Sequence, residues 1–184
     1  MTVVCVLAGG ASRRMGAPKP LAELGGRPLI VYPAEAALAT RLPVAIVAKA
    51  WMYLPAFGVP TWIEPDEPVH PLTGIVAALE HAGEPVVAVA CDQPWLEPEL
   101  IARVAAAEGP AAFTVDGRLE PFPARWEPAA LGTLREALAA RAPLRATLET
   151  LEPTILGEID PAVVAGVNTP EALAEARRRL GSEE

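Results

Sequence analysis

Three apolar runs dominate the pattern of the chain: Val-Val-Cys-Val-Leu-Ala at 3–8, Pro-Val-Ala-Ile-Val-Ala at 43–48 and Pro-Val-Val-Ala-Val-Ala at 85–90. They are short, rich in β-branched residues and free of polar alternation. Such runs predict strands buried on both faces, the signature of a parallel sheet. Ala/Leu-rich stretches follow them. Pro28 and Pro71, at the favoured first helical position, predict helices over 28–40 and 71–82. Further helices are predicted at 97–107, 128–141 and 143–151, the last two split by Pro143. Residues 61–63, 112–115, 122–126 and 154–159 predict shorter strands, with Asp116-Gly117 as a turn. Thr169 and Pro170 predict a cap and first turn for a last helix to about Leu180. The alternation predicts one α/β domain over 1–184, its sheet mostly parallel with an antiparallel strand near 112–126. In such sheets ligands bind beyond the carboxyl ends of the strands. That edge is left by the segments 9–20, 49–60 and 91–96.

Composition narrows the partners. The net charge is −8, which argues against a nucleic-acid footprint. An anionic ligand then needs locally gathered cations, and Arg13, Arg14 and Lys19 lie within seven positions. Cys5 and Cys91 are too few for a disulfide scaffold. No apolar run approaches the roughly 20 residues of a membrane span. The N-terminus lacks a basic region and cleavage pattern, so a cytoplasmic protein is expected. Lys occurs only at 19 and 49, Asn only at 168 and Gln only at 93. Scarce amides and many prolines form a thermophile-like pattern. Where such a chain retains Lys, Gln or Asn, chemistry is a reasonable suspicion.

Four constellations stand at loop positions. Leu7 to Lys19 (L-A-G-G-A-S-R-R-M-G-A-P-K) follows the first strand and is neither a P-loop nor a dinucleotide fingerprint. Its glycines let a backbone approach a ligand, and its Arg and Lys suit phosphate oxygens. The same residues also fit a Gly-rich turn with solvated arginines. Asp92, in C-D-Q-P after the third strand, could hold Mg²⁺, which takes one or two carboxylates plus substrate phosphates. It could also cap a turn before Pro94. Cys91 reads as a buried small apolar residue. In Glu64-Pro65-Asp66-Glu67, Asp66 could accept from a ribose hydroxyl or a base edge, or the stretch could be a solvated loop. The helix opened by His70-Pro71 offers free N–H groups, while His81 reads as a helix-surface residue. Asn168 in V-N-T-P-E-A-L is either a loop residue of local turn geometry or a second ligand to metal or substrate.

In order and spacing, L-A-G-G-x-S-x-R-M-G-x-x-K, P-L-x-G-I, C-D-x-P and V-N-T-P-E-x-L resemble the MobA-like nucleotidyltransferases, most nearly their guanylyltransferase branch. The resemblance runs from Val3 to about Leu180. It implies a Rossmann-like three-layer nucleotidyltransferase fold, with a nucleotide-binding half over about 1–100 and an acceptor-binding half over about 101–180. It implies transfer of GMP from GTP to the phosphate of molybdopterin, with Mg²⁺ and release of pyrophosphate. Transient contact with molybdenum cofactor carrier proteins would accompany that role. Residue by residue, it implies nucleotide contacts at Leu7, Ala8 and Gly9, a phosphate contact at Lys19 and an acidic nucleotide contact at Asp66. Asp92 becomes the nucleotide and Mg²⁺ ligand. Arg14, Lys19 and Asp92 become the catalytic set, and Asn168 matches the Asn of V-N-T-P.

The pattern also departs from the branch. Pro18 stands where many guanylyltransferases carry Asp, as in the related cytidylyltransferases. Those relatives more often read L-A-A-G, so Gly9-Gly10 favours guanine. Lys49 stands where the family often has Asn, and His70 replaces the Gly before P-L. The competing readings are a CTP-dependent transferase, a sugar-1-phosphate nucleotidyltransferase and a nucleotide-binding regulator of the same fold. In the second half, Arg125, Trp126 and Arg145 are pterin-site candidates by position alone.

Overall fold

The structure is a computed structural model, and it describes residues 1–10 and 18–182. Seven strands form one sheet: β1 (Val3–Leu7), β4 (Val44–Ala48), β5 (Thr61–Ile63), β6 (Val86–Ala90), β7 (Ala111–Val115), β8 (Arg118–Trp126) and β9 (Thr154–Glu158). Their spatial order is β5-β4-β1-β6-β8-β7-β9. The four strands β5, β4, β1 and β6 are mutually parallel, and β7 and β9 pair in parallel. β8 alone runs against its neighbours β6 and β7. The predicted antiparallel strand is therefore real, and it joins the two parallel groups.

Both faces of the sheet are covered, as the uniform apolar runs require. Along β1, Val4 and Val6 pack with Ile46, Val87 and Val89 under α1 (Val31–Ala39) and α3 (Pro98–Ala105). Cys5 points the other way, with Val47, Val86, Ala88 and Trp126, under α2 (Pro71–Ala82), α4 (Leu131–Ala139) and α5 (Leu144–Glu149). The three-layer architecture follows from that alternation. Burying each large apolar side chain contributes about 1.5–3 kcal/mol, and Trp126, Phe113, Ile46, Ile75 and Leu79 are all fully enclosed.

The structure corrects two boundaries. The helix expected from Pro28 starts at Val31; Arg27–Pro28 instead forms β3, paired antiparallel with β2 (Glu23–Leu24). Gly25 and Gly26 take the turn at φ +54° and +73°, a left-handed pair that glycine adopts without steric cost. This hairpin packs through Leu24 and Leu29 on Val167 and on Ala176 of α6 (Pro170–Ser182). The strand expected at 122–126 begins at Arg118. Pro121 and Pro123 interrupt its ladder, so Ala112 pairs with Ala124 but Phe113 pairs with Glu120. Proline removes ladder donors and is accommodated at such a bulge.

Candidate active site

The site grows from the shared carboxyl edge of the four parallel strands. Because β5, β4, β1 and β6 lie side by side in that order, the residues leaving them are arrayed in the same order. They are Glu64, Lys49, the Leu7–Gly9 turn and Asp92. The ladders continue into these residues: Ala8 N–H donates to Val47 O at 2.7 Å, Glu64 N–H to Ala48 O at 3.0 Å and Cys91 N–H to Leu7 O at 3.3 Å. Above them lies a cleft of about 640 Å³. Its floor is Leu7, Gly9, Gly10, Glu64 and Gly74, and its far wall carries Glu120, Phe122 and Arg141.

At the β6 end, Lys19 opens a short 3₁₀ turn and extends its ammonium over the edge. Lys19 Nζ donates to Asp92 Oδ2 at 2.9 Å and to Asn168 Oδ1 at 2.6 Å. These contacts span 73 and 149 positions of sequence. Asn168 is brought there by the segment before α6, whose Val167 N–H donates to Asp92 O at 2.8 Å. A side chain at 166 would collide with this group, since a Cβ there would stand 2.7 Å from Asn168 Nδ2 and 3.3 Å from Asp92 Oδ2. Gly166 lets its own loop approach this group closely. Thr169 caps α6 by accepting from Ala172 N–H at 3.1 Å, as its position before Pro170 predicts.

At the β5 end, Lys49 and Glu64 are 3% and 5% exposed and paired, with Nζ 3.3 Å from Oε1. Lys49 Nζ also donates to Pro65 O. Burial pushes the Glu64 carboxyl above its ordinary pKa, and the Lys49 ammonium opposes that shift. Between the two ends, the Cys91 thiol lines the cleft but is pushed far up by burial. Its burial matches the small apolar residue expected there.

The far wall of the cleft has other origins. Gln93, 4% exposed, donates to Phe122 O at 3.1 Å and Val164 O at 3.0 Å, tying β8 to the Asn168 loop. Glu120 is pushed up by burial, and the Phe122 N–H and Arg145 oppose the shift. His70 caps α2, its Nδ1 accepting from Leu72 N–H at 3.2 Å. Burial, then the Arg141 charge, hold its imidazole below the usual histidine range.

The structure thus brings Leu7, Gly9, Lys19, Asp92 and Asn168 together in one cleft. Ala8 lies beneath it in the core. Asp66 does not line the cleft; it accepts from Trp51 Nε1 at 3.1 Å, and Glu64 takes the cleft position instead. Arg13 and Arg14 lie outside the described residues. Trp126 is a core residue, and Arg125 is tied to Thr2 and Ala105 at the opposite edge of the sheet. Arg145 donates to Leu119 O beside Glu120. His81 stacks on Trp62 with ring centroids 5.5 Å apart, an exposed helix-surface residue as expected. Sequence reasoning passed over Glu120, Arg141 and Gly166, and gave Glu64 no role beyond its place in the acidic tetrapeptide; Gln93 carried a signal as the single glutamine of the chain.

A doubly wound sheet with a polar cleft on its carboxyl edge is the arrangement in which α/β proteins bind their ligands. The comparisons sharpen that class. The model of the MobA-like NTP transferase domain matches residues 4–154, and the chain belongs to that family. A molybdenum cofactor guanylyltransferase of Rhodobacter capsulatus is 36% identical, with 95% of this chain and 94% of the relative covered. One of Rhizobium leguminosarum bv. trifolii is 35% identical, covering 95% and 91%. Among solved structures, molybdopterin-guanine dinucleotide biosynthesis protein A of Archaeoglobus fulgidus superposes with a TM-score of 0.78 over 99% of this chain and all of that one. At 22% identity that likeness concerns the fold. Among the described residues, no helix is long and apolar enough to cross a membrane.

Proposed function

We propose that this chain transfers GMP from GTP to the terminal phosphate of molybdopterin, releasing pyrophosphate. The observation that carries the reading is the Lys19 ammonium, held between Asp92 and Asn168 at the end of a glycine-floored cleft. The names of the curated relatives support it. In the reaction an oxygen of the acceptor phosphate attacks the α-phosphorus of GTP. The new P–O bond forms as the bond to the β-phosphate oxygen breaks, and pyrophosphate departs with the electron pair. The attacking oxygen is already ionised near neutral pH, so no general base is required.

The chain's own part is positioning and charge. The Leu7–Gly9 turn provides a side-chain-poor surface for the nucleoside. Lys19 neutralises the triphosphate, and Arg14, outside the described residues, is expected to do so on the departing pyrophosphate. Asp66 remains a nucleotide-contact proposal for the ribose side. The donor set fits magnesium: Asp92 Oδ2 and Asn168 Oδ1 converge on one positive charge, that of Lys19. Among the described residues no cluster of three His, Cys, Asp or Glu exists. One carboxylate and one amide oxygen match an ion that keeps waters and takes its remaining ligands from phosphates. Asp92, with Asn168, would hold Mg²⁺, which would neutralise charge on the phosphates. The nucleotide half falls on about 1–100, the acceptor half on about 101–180. A cytoplasmic enzyme meeting molybdenum cofactor carrier proteins transiently completes the reading.

Calorimetric titration with GTP and CTP, each with and without Mg²⁺, tests it. The expected result is Mg²⁺-dependent binding that favours GTP by tenfold or more, about 1.4 kcal/mol. Preference for CTP, or binding of neither, contradicts it.

A further inference from the structure

The two ends of the cleft differ in charge, and the difference bears on which base the nucleotide carries. The β6 end gathers Lys19, Asp92 and Asn168 and suits phosphates. A nucleotide laid along the strand edge from there places its base toward β4 and β5, where Glu64 is the cleft-lining acid. The Glu64 carboxylate is seated between two glycines. A Cβ on Gly9 would lie 1.3 Å from Oε1, and one on Gly74 would lie 2.9 Å from Oε2. Both neighbours must therefore be glycine for the carboxylate to lie flush with the floor. Lys49 fixes the group through its contacts with Oε1 and with Pro65 O.

We infer that Glu64 is the base-discriminating residue, its carboxylate accepting the adjacent N1–H and N2–H donors of guanine. The inference rests on the GTP reading above. A carboxylate offers acceptors only. Guanine presents two adjacent donors on its Watson–Crick edge, whereas cytosine presents two acceptors and a single donor there. Glu64 thus attracts guanine and repels cytosine. Burial raises the Glu64 carboxyl above its ordinary pKa, and the Lys49 ammonium, 3.3 Å from Oε1, opposes that shift. Asp66, turned to Trp51 Nε1, is not among the cleft-lining residues.

Titration with GTP and with inosine triphosphate, which lacks the N2 amino group, tests the assignment in the presence of Mg²⁺. Wild type should bind GTP at least tenfold more tightly than inosine triphosphate. Glu64→Gln turns an amide donor toward the guanine donors, so the ratio should fall below about threefold, mostly through weaker GTP binding. If the single variant does not fold because Lys49 loses its partner, Lys49→Met combined with Glu64→Gln removes both charges and should give the same reduced ratio. A wild-type ratio near one, or a folded Glu64 variant that keeps the tenfold ratio, overturns the inference while leaving GTP binding intact. A wild type that binds CTP in preference to GTP overturns the functional reading itself.

Discussion

The strand-end edge and the far wall of the cleft are built in opposite ways. On the strand-end edge, four parallel strands end together, so each proposed site residue there lies within two positions of a strand end: Gly9, Lys49, Glu64 and Asp92. Lys19 and Asn168 are then drawn onto Asp92. The far wall is built around the antiparallel β8, whose Glu120 and Phe122 lie inside the strand near a bulge. Arg141 joins them from the loop between α4 and α5, at φ +52°. A parallel edge concentrates function into short local motifs. An antiparallel wall disperses it among residues that meet only through the fold.

The sharpest break in this comparison is at Asp92. Asp92→Asn keeps the side-chain volume but removes the charge facing Lys19 and the proposed Mg²⁺. Turnover should fall by at least ~100-fold, as for loss of a preorganised charge partner. Stability should change far less than turnover, since an amide oxygen at 92 still accepts from Lys19 Nζ. Steady-state rates beside a thermal melt check both. Lys19→Ala and Arg14→Ala should each cost ~10–100-fold in turnover by the same argument, with melting temperatures close to wild type. A full rate in any of the three removes that residue from the proposed charge site.

Gly9→Ala attacks the other end of the edge. The new methyl would overlap the Glu64 carboxylate, and forcing a displacement in packed surroundings costs about 1–3 kcal/mol. A melting temperature equal to that of wild type would show that Glu64 does not lie on the glycine. On the far wall, proposed to face the acceptor, the expected effect is smaller. Gln93→Ala releases the carbonyls of Phe122 and Val164 and should cost about 1–2 kcal/mol. The KM for the acceptor should rise more than the KM for GTP. Equal changes in both would mean that Gln93 does not serve the acceptor side alone.

The smallest expected effect is pH-dependent. The His70 pKa is lowered in the fold, so the unfolded chain binds more protons than the folded one around the ordinary histidine value. That contribution to stability is present above the unfolded pKa of about 6.5 and is lost as pH falls through the window below it. The Glu64 and Glu120 carboxyls are raised. Their contribution has the opposite sign, diminishing as pH rises above the ordinary carboxylate value. His70→Asn keeps an N-cap for α2 and removes only the histidine term. The melting temperature of wild type should drop more than that of the variant between pH 7.5 and 5.5, and parallel curves would contradict the assignment.

The contrast also explains what the sequence disclosed. α2 spans Pro71–Ala82 as predicted, because a proline at its first position, an apolar face and Gly83 bound it locally. Lys19, Asp92 and Asn168 were legible because each sits in a short motif next to an element end. The Gly25-Gly26 hairpin was legible in principle, since paired glycines mark such turns, but Pro28 read as a helix start. Glu64 was overlooked in favour of Asp66 because one acidic tetrapeptide holds both. Which of them enters the cleft depends on where β5 ends and on the two glycines that admit a carboxylate. Glu120 and Arg141 left no local trace, since a bulge and a left-handed loop residue place them.

The most direct test of the central claim is pyrophosphate release from GTP, measured with and without molybdopterin, for wild type and Asp92→Asn. The account predicts Mg²⁺-dependent release that requires both substrates in wild type and falls at least ~100-fold in the variant. Release that proceeds without molybdopterin, or that is equal in the two proteins, would contradict it.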